Sequence, residues 1–142
     1  MTRWEYTDRN DPSDPLQIQS ITVTPDPPEA GKTLTAVIKT TLTDVIKEGA
    51  CADVTVKIGA VKLVSTQYDL FSKLKGDTSD GWSLSATRGT AGEPIEEGTV
   101  EFTFTKDLSK NTPPGKYTVG VQAYGADEAP LGGFDFTVDF SR

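Results

Sequence analysis

The stretch KYTVGVQAYGADEAPLGGFDFTVDF, residues 116–140, decides the fold class of this chain. Each half alternates apolar and polar residues, and the apolar positions are Tyr117, Val119, Val121, Ala123, Phe134, Phe136, Val138 and Phe140. Alternation with a period of two is typical of a strand with one buried face and one solvated face. Because the segment between the halves is rich in glycine and also contains proline and aspartate, the stretch predicts two antiparallel strands joined by a turn.

The same alternation recurs along the rest of the chain. It is present at residues 16–23, 34–39, 52–59, 61–70 and 100–105. Its phase slips by one near Gln19 and Ser20, which predicts a β-bulge. A short helical turn fits residues 68–75, and residues 77–97 form the longest irregular stretch. Roughly seven short strands at this spacing are typical of an immunoglobulin-like β-sandwich, an all-β fold of two antiparallel sheets.

Length and composition narrow the function as well as the fold. The chain has 142 residues, which fit a single domain over residues 1–142. Its net charge of −7, with lysine and arginine scattered singly, argues against nucleic acid as a partner and against anchoring to an anionic membrane surface. It has no histidine and one cysteine, Cys51, so the usual general base, the commonest metal ligand and any internal disulfide are missing. We therefore predict that the chain is not an enzyme and that it holds no metal and no cofactor.

Six segments carry a resemblance to a known family. They are the W-x-Y start at residues 4–6, DPLQIQSITVTPDPPEAGK (14–32), VIKEGACADVTVKIGAVKLVSTQYDL (45–70), PIEEGTVEFTF (94–104), PPGKYTVGVQAYGADE (113–128) and FDFTVDF (134–140). In their order and spacing they resemble the ML (lipid-recognition) domain family. Within that family they are most similar to the fungal phosphatidylglycerol/phosphatidylinositol transfer proteins. The resemblance covers nearly the whole chain, from Trp4 to Phe140.

The resemblance implies a sandwich whose two sheets part at one edge and enclose an apolar cavity. The bound partner it implies is a phospholipid, a fatty acid or a sterol, exchanged through transient contact with a membrane. A dry void of about 300 Å³ would cost on the order of 7 kcal/mol, against a total stability of about 5–15 kcal/mol. Since lipid would offset that cost, we expect lipid to copurify with the protein.

The chain departs from the resembled family in its cysteines. The family is normally secreted or lysosomal and has several disulfides, whose fungal cysteine positions correspond to Thr7, Phe71, a position near Glu93, and Gly133. Disulfides are of little use in a reducing compartment. Together with a start that lacks a leader-like apolar segment, these substitutions predict a cytoplasmic protein. The alternative is a secreted protein whose leader has been removed.

The candidate lipid contacts are apolar side chains expected to point between the sheets. These predicted lipid-binding residues are Ile38, Val56, Leu63, Tyr68, Leu70, Phe71, Trp82, Phe102, Phe104, Val119, Val121, Phe134 and Phe136. For each of them, packing in an ordinary core is the competing interpretation. Phe71 stands at a cysteine position of the family, and Phe71→Ala is expected to cost about 3–5 kcal/mol if the ring is buried.

Residues at the expected mouth have two interpretations each. Trp82 and Leu84, in the predicted irregular stretch, would guard the mouth and touch a membrane, or else fold back onto the core. Lys57, Lys62 and Lys73 would reach a lipid phosphate, or else be ordinary solvated lysines. The rival function is an immunoglobulin-like module with a closed core that recognises protein or carbohydrate through its loops. The lipid species, transfer as opposed to sensing, and the oligomeric state stay open.

Overall fold

Two antiparallel sheets form a sandwich in the computed structural model, which describes residues 3–78, 81–87 and 93–140. Within these residues the elements are β1 (Arg3–Asp8), β2 (Leu16–Thr24), β3 (Thr33–Leu42), β4 (Cys51–Ile58), β5 (Val61–Asp69), α1 (Leu70–Leu74), β6 (Trp82–Ala86), β7 (Gly98–Asp107), β8 (Lys116–Tyr124) and β9 (Pro130–Asp139). The five-stranded sheet has the order β1-β9-β8-β4-β5, and the four-stranded sheet has the order β2-β3-β7-β6. The predicted immunoglobulin-like sandwich is confirmed.

The prediction of roughly seven strands is wrong, because the described residues form nine. One missed strand is β1, which places Tyr6 opposite Phe136 of β9. The other is β6, which lies inside the stretch predicted to be irregular and places Leu84 opposite Phe104 of β7. In β6, Trp82, Leu84 and Ala86 do alternate with Ser83 and Ser85, but five residues inside a polar, glycine-rich stretch are a weak strand signal, and the strand forms by pairing with β7.

Two local predictions are confirmed. The register of β2 against β3 shifts between Ile18 and Ser20, at the predicted bulge. The helical turn is α1, and Asp69 caps it by accepting hydrogen bonds from the backbone N–H groups of Phe71 at 3.0 Å and Ser72 at 3.2 Å. No helix in the described part of the chain is long and apolar enough to cross a bilayer.

Buried residues form two cores between the sheets. The first core contains Leu42, Ile46, Ala50, Leu70, Phe71, Leu74, Ile95, Val100, Phe102 and Leu131. The second core contains Ile21, Val23, Leu34, Ala36, Phe136 and Val138. The first core is closed by α1, and the second lies where β2 and β3 cover β9. The sandwich is therefore packed at the α1 end and along the β9 side, which leaves the β4 and β5 side to be considered.

Candidate functional site

The inner face of β4 is apolar but lies outside both cores. Val56 pairs with Val119, which packs against the second core, so Val56 points between the sheets. Val54 lies two residues away on the same face, opposite Val121. Both β4 valines are half-buried, and neither belongs to a core formed by the described residues. The inner face of β4 is therefore only partly covered.

β5 and β6 are the outermost strands of their sheets on the same side of the sandwich, where Tyr68 of β5 contacts Trp82 of β6. Val64 of β5, opposite Val56, is 36% exposed, and its neighbours Val61 and Leu63 are 60% and 53% exposed. In the part of the chain that the structure describes, these are the large hydrophobic side chains left exposed. We call this side of the sandwich, bordered by β5 and β6 and lined by the partly exposed inner face of β4, the open edge.

An aromatic contact joins the two sheets at one end of the open edge. The rings of Tyr68 on β5 and Trp82 on β6 meet edge to face, with centroids 5.0 Å apart. Trp82 also packs against Phe104 of β7, at 5.5 Å between centroids. Because this contact links strands of different sheets, it limits the open edge on the side of α1. We call the three rings of Tyr68, Trp82 and Phe104 the aromatic wall.

Lys73 lies beneath this aromatic contact and not at a solvated rim. It is 2% exposed, and its Nζ lies 3.7 Å from the centroid of the Trp82 ring. The same Nζ donates hydrogen bonds to the carbonyl oxygens of Asp77 and Trp82, each at 3.2 Å. Both predictions for Lys73 are wrong, because a lysine that uses its donors on backbone carbonyls and on a ring face is neither solvated nor available to a phosphate.

The structure divides the predicted lipid-binding residues into four groups. Four side chains are buried in the cores: Leu70, Phe71, Phe102 and Phe136. Four are half-buried against those cores: Ile38, Phe104, Val119 and Phe134. Four are half-buried on β4, β8 and the ends of β5 and β6, around the open edge: Val56, Val121, Tyr68 and Trp82. Leu63 is exposed on β5. Lipid contact by any of them stays a prediction.

Two further polar clefts open on the outer face of the five-stranded sheet. One, of about 620 Å³, is lined by Gly49, Ala50, Cys51, Asp53, Gln67, Tyr68, Asp69, Tyr124, Gly125, Ala126 and Glu128. The other, of about 470 Å³, is lined by Arg9, Asp53, Thr55, Lys57, Lys62, Thr118, Gly120, Gln122 and Asp135. Arg9 is committed to an ion pair with Asp135 at 3.1 Å. Charged and polar linings of this kind do not suit an acyl chain.

The chemistry of the first outer cleft does not favour nucleophilic catalysis. Desolvation by burial raises the pKa of the Cys51 thiol, and the negative charges of Asp53, Asp69 and Glu128 raise it further. A thiol with a raised pKa is a poor nucleophile near neutral pH. The described residues also contain no group of three or more Cys, Asp or Glu side chains placed to hold a metal ion.

Sequence reasoning missed several residues at the open edge. Val54 and Ile58 share the inner face of β4 with Val56, and the alternation of that strand was sufficient to find them. The sequence gives no such signal for Val61 and Val64. The alternation within β5 does not show how far the opposite sheet extends over that strand. The exposure of these two side chains depends on how the two sheets pack together and cannot be read from the sequence of β5.

Comparisons with known proteins identify related chains. The family model of the ML domain matches residues 2–140. A phosphatidylglycerol/phosphatidylinositol transfer protein of Cryptococcus neoformans is 32% identical over 139 residues, which cover 98% of this chain and 72% of that protein. The protein of the same name from Kluyveromyces lactis is 35% identical over 121 residues, which cover 85% of this chain and 65% of that protein.

Solved structures with this fold are also found. Chicken MD-1, crystallised in complex with lipid IVa, has a TM-score of 0.63 and 20% identity, and the match covers 98% of this chain and 90% of MD-1. A Niemann-Pick type C2 protein from the Japanese carpenter ant has a TM-score of 0.58 and 13% identity, covering 94% and 96% of the two chains. At these identities the likeness extends to the fold alone.

Proposed function

The chain belongs to the ML-domain family, and from that premise we propose that it binds a phospholipid, without catalysing a reaction, and transfers it between membranes. The names of its fungal relatives support phospholipid as the ligand class. Fatty acids and sterols are the alternatives that the same apolar space accommodates. The absence of histidine from the chain supports a non-enzymatic role, because the usual general base is missing.

The observation that carries this proposal is the partly exposed apolar inner face of β4. Val54 and Val56 are apolar, point between the sheets and are left out of both cores. An acyl chain lying against them would be removed from water at about 0.8 kcal/mol per CH₂. Such a chain would enter through the open edge and reach the aromatic wall formed by Tyr68, Trp82 and Phe104. The ligand would thus bury apolar side chains that the protein's own residues leave partly exposed.

The rival function, a recognition module with a closed core, receives less support. Such a module would bury the inner faces of both sheets completely, whereas Val54 and Val56 remain half-buried. The loops offer no cluster of aromatic and arginine side chains of the kind that anchors a protein interface, at least among the residues that the structure describes.

We further propose that the protein works in a reducing compartment, the cytoplasm, with secretion as the alternative. The support is compositional: one cysteine cannot form an internal disulfide, and Phe71, which the family resemblance matches to a cysteine position, is a buried core residue. Fractionation of the cells that produce the protein tests this proposal. Recovery from the medium or from the secretory pathway would overturn it.

The proposed function is tested by lipid content and by transfer. Protein purified from cells is extracted and its lipid identified by mass spectrometry, and transfer is followed between donor and acceptor vesicles. Val56→Gln places an amide on the inner face, and the desolvation it demands predicts about tenfold weaker lipid binding. Thr55→Gln is the matched control, because Thr55 is the next residue on the same strand and lines an outer cleft.

Two results would contradict the proposal. One is native mass spectrometry of the wild-type protein showing bare chain only, with no uptake when phospholipid is added. The other is an equal loss of lipid in Val56→Gln and Thr55→Gln, which would place the ligand away from the inner face of β4.

A further inference from the structure

The exposed apolar side chains of the protein are concentrated at one place. Val61, Leu63 and Val64 lie within four consecutive residues at the start of β5, next to the turn from β4. Single exposed hydrophobic residues scattered over a surface are ordinary, but a cluster marks a surface that contacts something apolar. Edge strands are normally protected by charge, and the first eight residues of β5 contain one charged side chain, Lys62.

The charge at this place is opposite to that of the whole chain. Residues 54–68 contain two lysines and no acidic residue, in a chain with a net charge of −7. Lys57 and Lys62 lie directly opposite each other on β4 and β5 and are both exposed. Neither makes an ion pair with any residue that the structure describes. Like charges placed opposite each other are unfavourable, so a negatively charged group between them would be stabilising.

The position of this cluster adjoins the candidate site. Val64 lies opposite Val56, so the strand that carries the exposed cluster is also one border of the open edge. A ligand that passes through the open edge therefore passes beside Val61 and Leu63. Contact with a bilayer at this strand would bring the opening to the lipid without exposing an acyl chain to water.

We propose that Val61 and Leu63, together with Lys57 and Lys62, form a docking edge that binds the surface of a bilayer containing anionic phospholipid. The two apolar side chains enter the interfacial region, and the two lysines meet lipid phosphates. This inference rests on the proposed function but assigns it a membrane contact surface. The proposed membrane contact lies at the β4–β5 turn. It does not involve Trp82 and Leu84, which the sequence analysis considered for membrane contact, because the structure places both on the inner face of β6.

The experiment is sedimentation of the full chain with vesicles of phosphatidylcholine alone or mixed with phosphatidylglycerol. The Val61→Thr, Leu63→Thr double variant places β-branched residues, which suit a strand, at both positions and is expected to bind mixed vesicles about tenfold more weakly. Lys57→Gln with Lys62→Gln is expected to lose about fivefold per lysine at low salt and little at high salt. Lys32→Gln with Lys110→Gln, two exposed lysines outside this stretch, is the matched control and is expected to match the wild type.

A second assay separates this proposal from the proposed function. Uptake of a lysophospholipid below its critical micelle concentration needs no membrane, so the docking variants are expected to load it as the wild type does. Equal vesicle binding by the wild type and both docking variants would overturn the docking edge and leave lipid binding intact. Failure of the wild type to load any lipid would overturn the proposed function instead. A dimer in solution that Val61→Thr abolishes would assign this edge to a second copy of the chain.

Discussion

Replacing Phe71 with alanine tests how the α1 end of the sandwich is closed. The ring is 1% exposed and packs in the first core beside residues of β3, β7 and α1. Removing a fully buried phenyl group loses its transfer free energy and leaves a cavity, so we expect a loss of about 3–5 kcal/mol. That is a large fraction of a total stability of about 5–15 kcal/mol.

The assay is urea unfolding followed by the fluorescence of Trp4 and Trp82. With a slope of about 1–3 kcal/mol per molar urea, the expected loss moves the midpoint down by about 1–5 M. Phe71→Leu, which keeps most of the volume, is expected to lose less. Leu63→Ala is the control, since a side chain that is 53% exposed should cost less than about 1 kcal/mol. A change below about 1 kcal/mol in Phe71→Ala would refute the claim that this buried ring holds the first core together.

Three further predictions concern groups around the site. Lys73→Met keeps the side-chain volume but removes the hydrogen bonds to two carbonyls, so urea unfolding should show a loss of about 1–2 kcal/mol, whereas a solvated lysine would give no change. The raised pKa of Cys51 leaves less thiolate at pH 8, so iodoacetamide should alkylate it more slowly than a free thiol, and Asp53→Asn should speed the reaction; unchanged rates would contradict the stated charge effect. Asp69→Ala removes the cap of α1 and is expected to cost about 1 kcal/mol, with Asp69→Asn retaining most of the stability; equal losses in both would refute the capping role.

The strands with regular alternation were predictable because their own residues specify a face. β9 and β8 follow the pattern of residues 116–140, and the bulge in β2 was visible as a slip of phase. β6 was missed although Trp82, Leu84 and Ala86 alternate with two serines, because a five-residue alternation inside a polar, glycine-rich stretch is a weak signal without its pairing to β7. The local sequence near Lys73 gave no sign of burial either, since the ring that covers its Nζ belongs to Trp82, nine residues along the chain.

The candidate site was only partly predictable for the same reason. Alternation assigns Phe136 and Val56 to inner faces equally well, and it cannot tell a packed core from an open edge. The difference between them is tertiary: Phe136 lies on β9 beneath β2 and stacks on Trp4, whereas Val56 lies on β4, beyond the reach of the second core. The family resemblance predicts that the sheets part at one edge, and that stays a prediction; the arrangement of β5 and β6 identifies the side on which the inner face is only partly covered.

The most direct test of a ligand between the sheets is photochemical crosslinking with a phospholipid that has a diazirine in its acyl chain, followed by mapping of the modified peptides. We predict crosslinks to inner-face residues of β4 and β8, with Val54, Val56 and Val121 as the leading sites, and to Phe104 across the gap. Crosslinks confined to the outer clefts, at Thr55 or Gln122 for instance, would contradict the account.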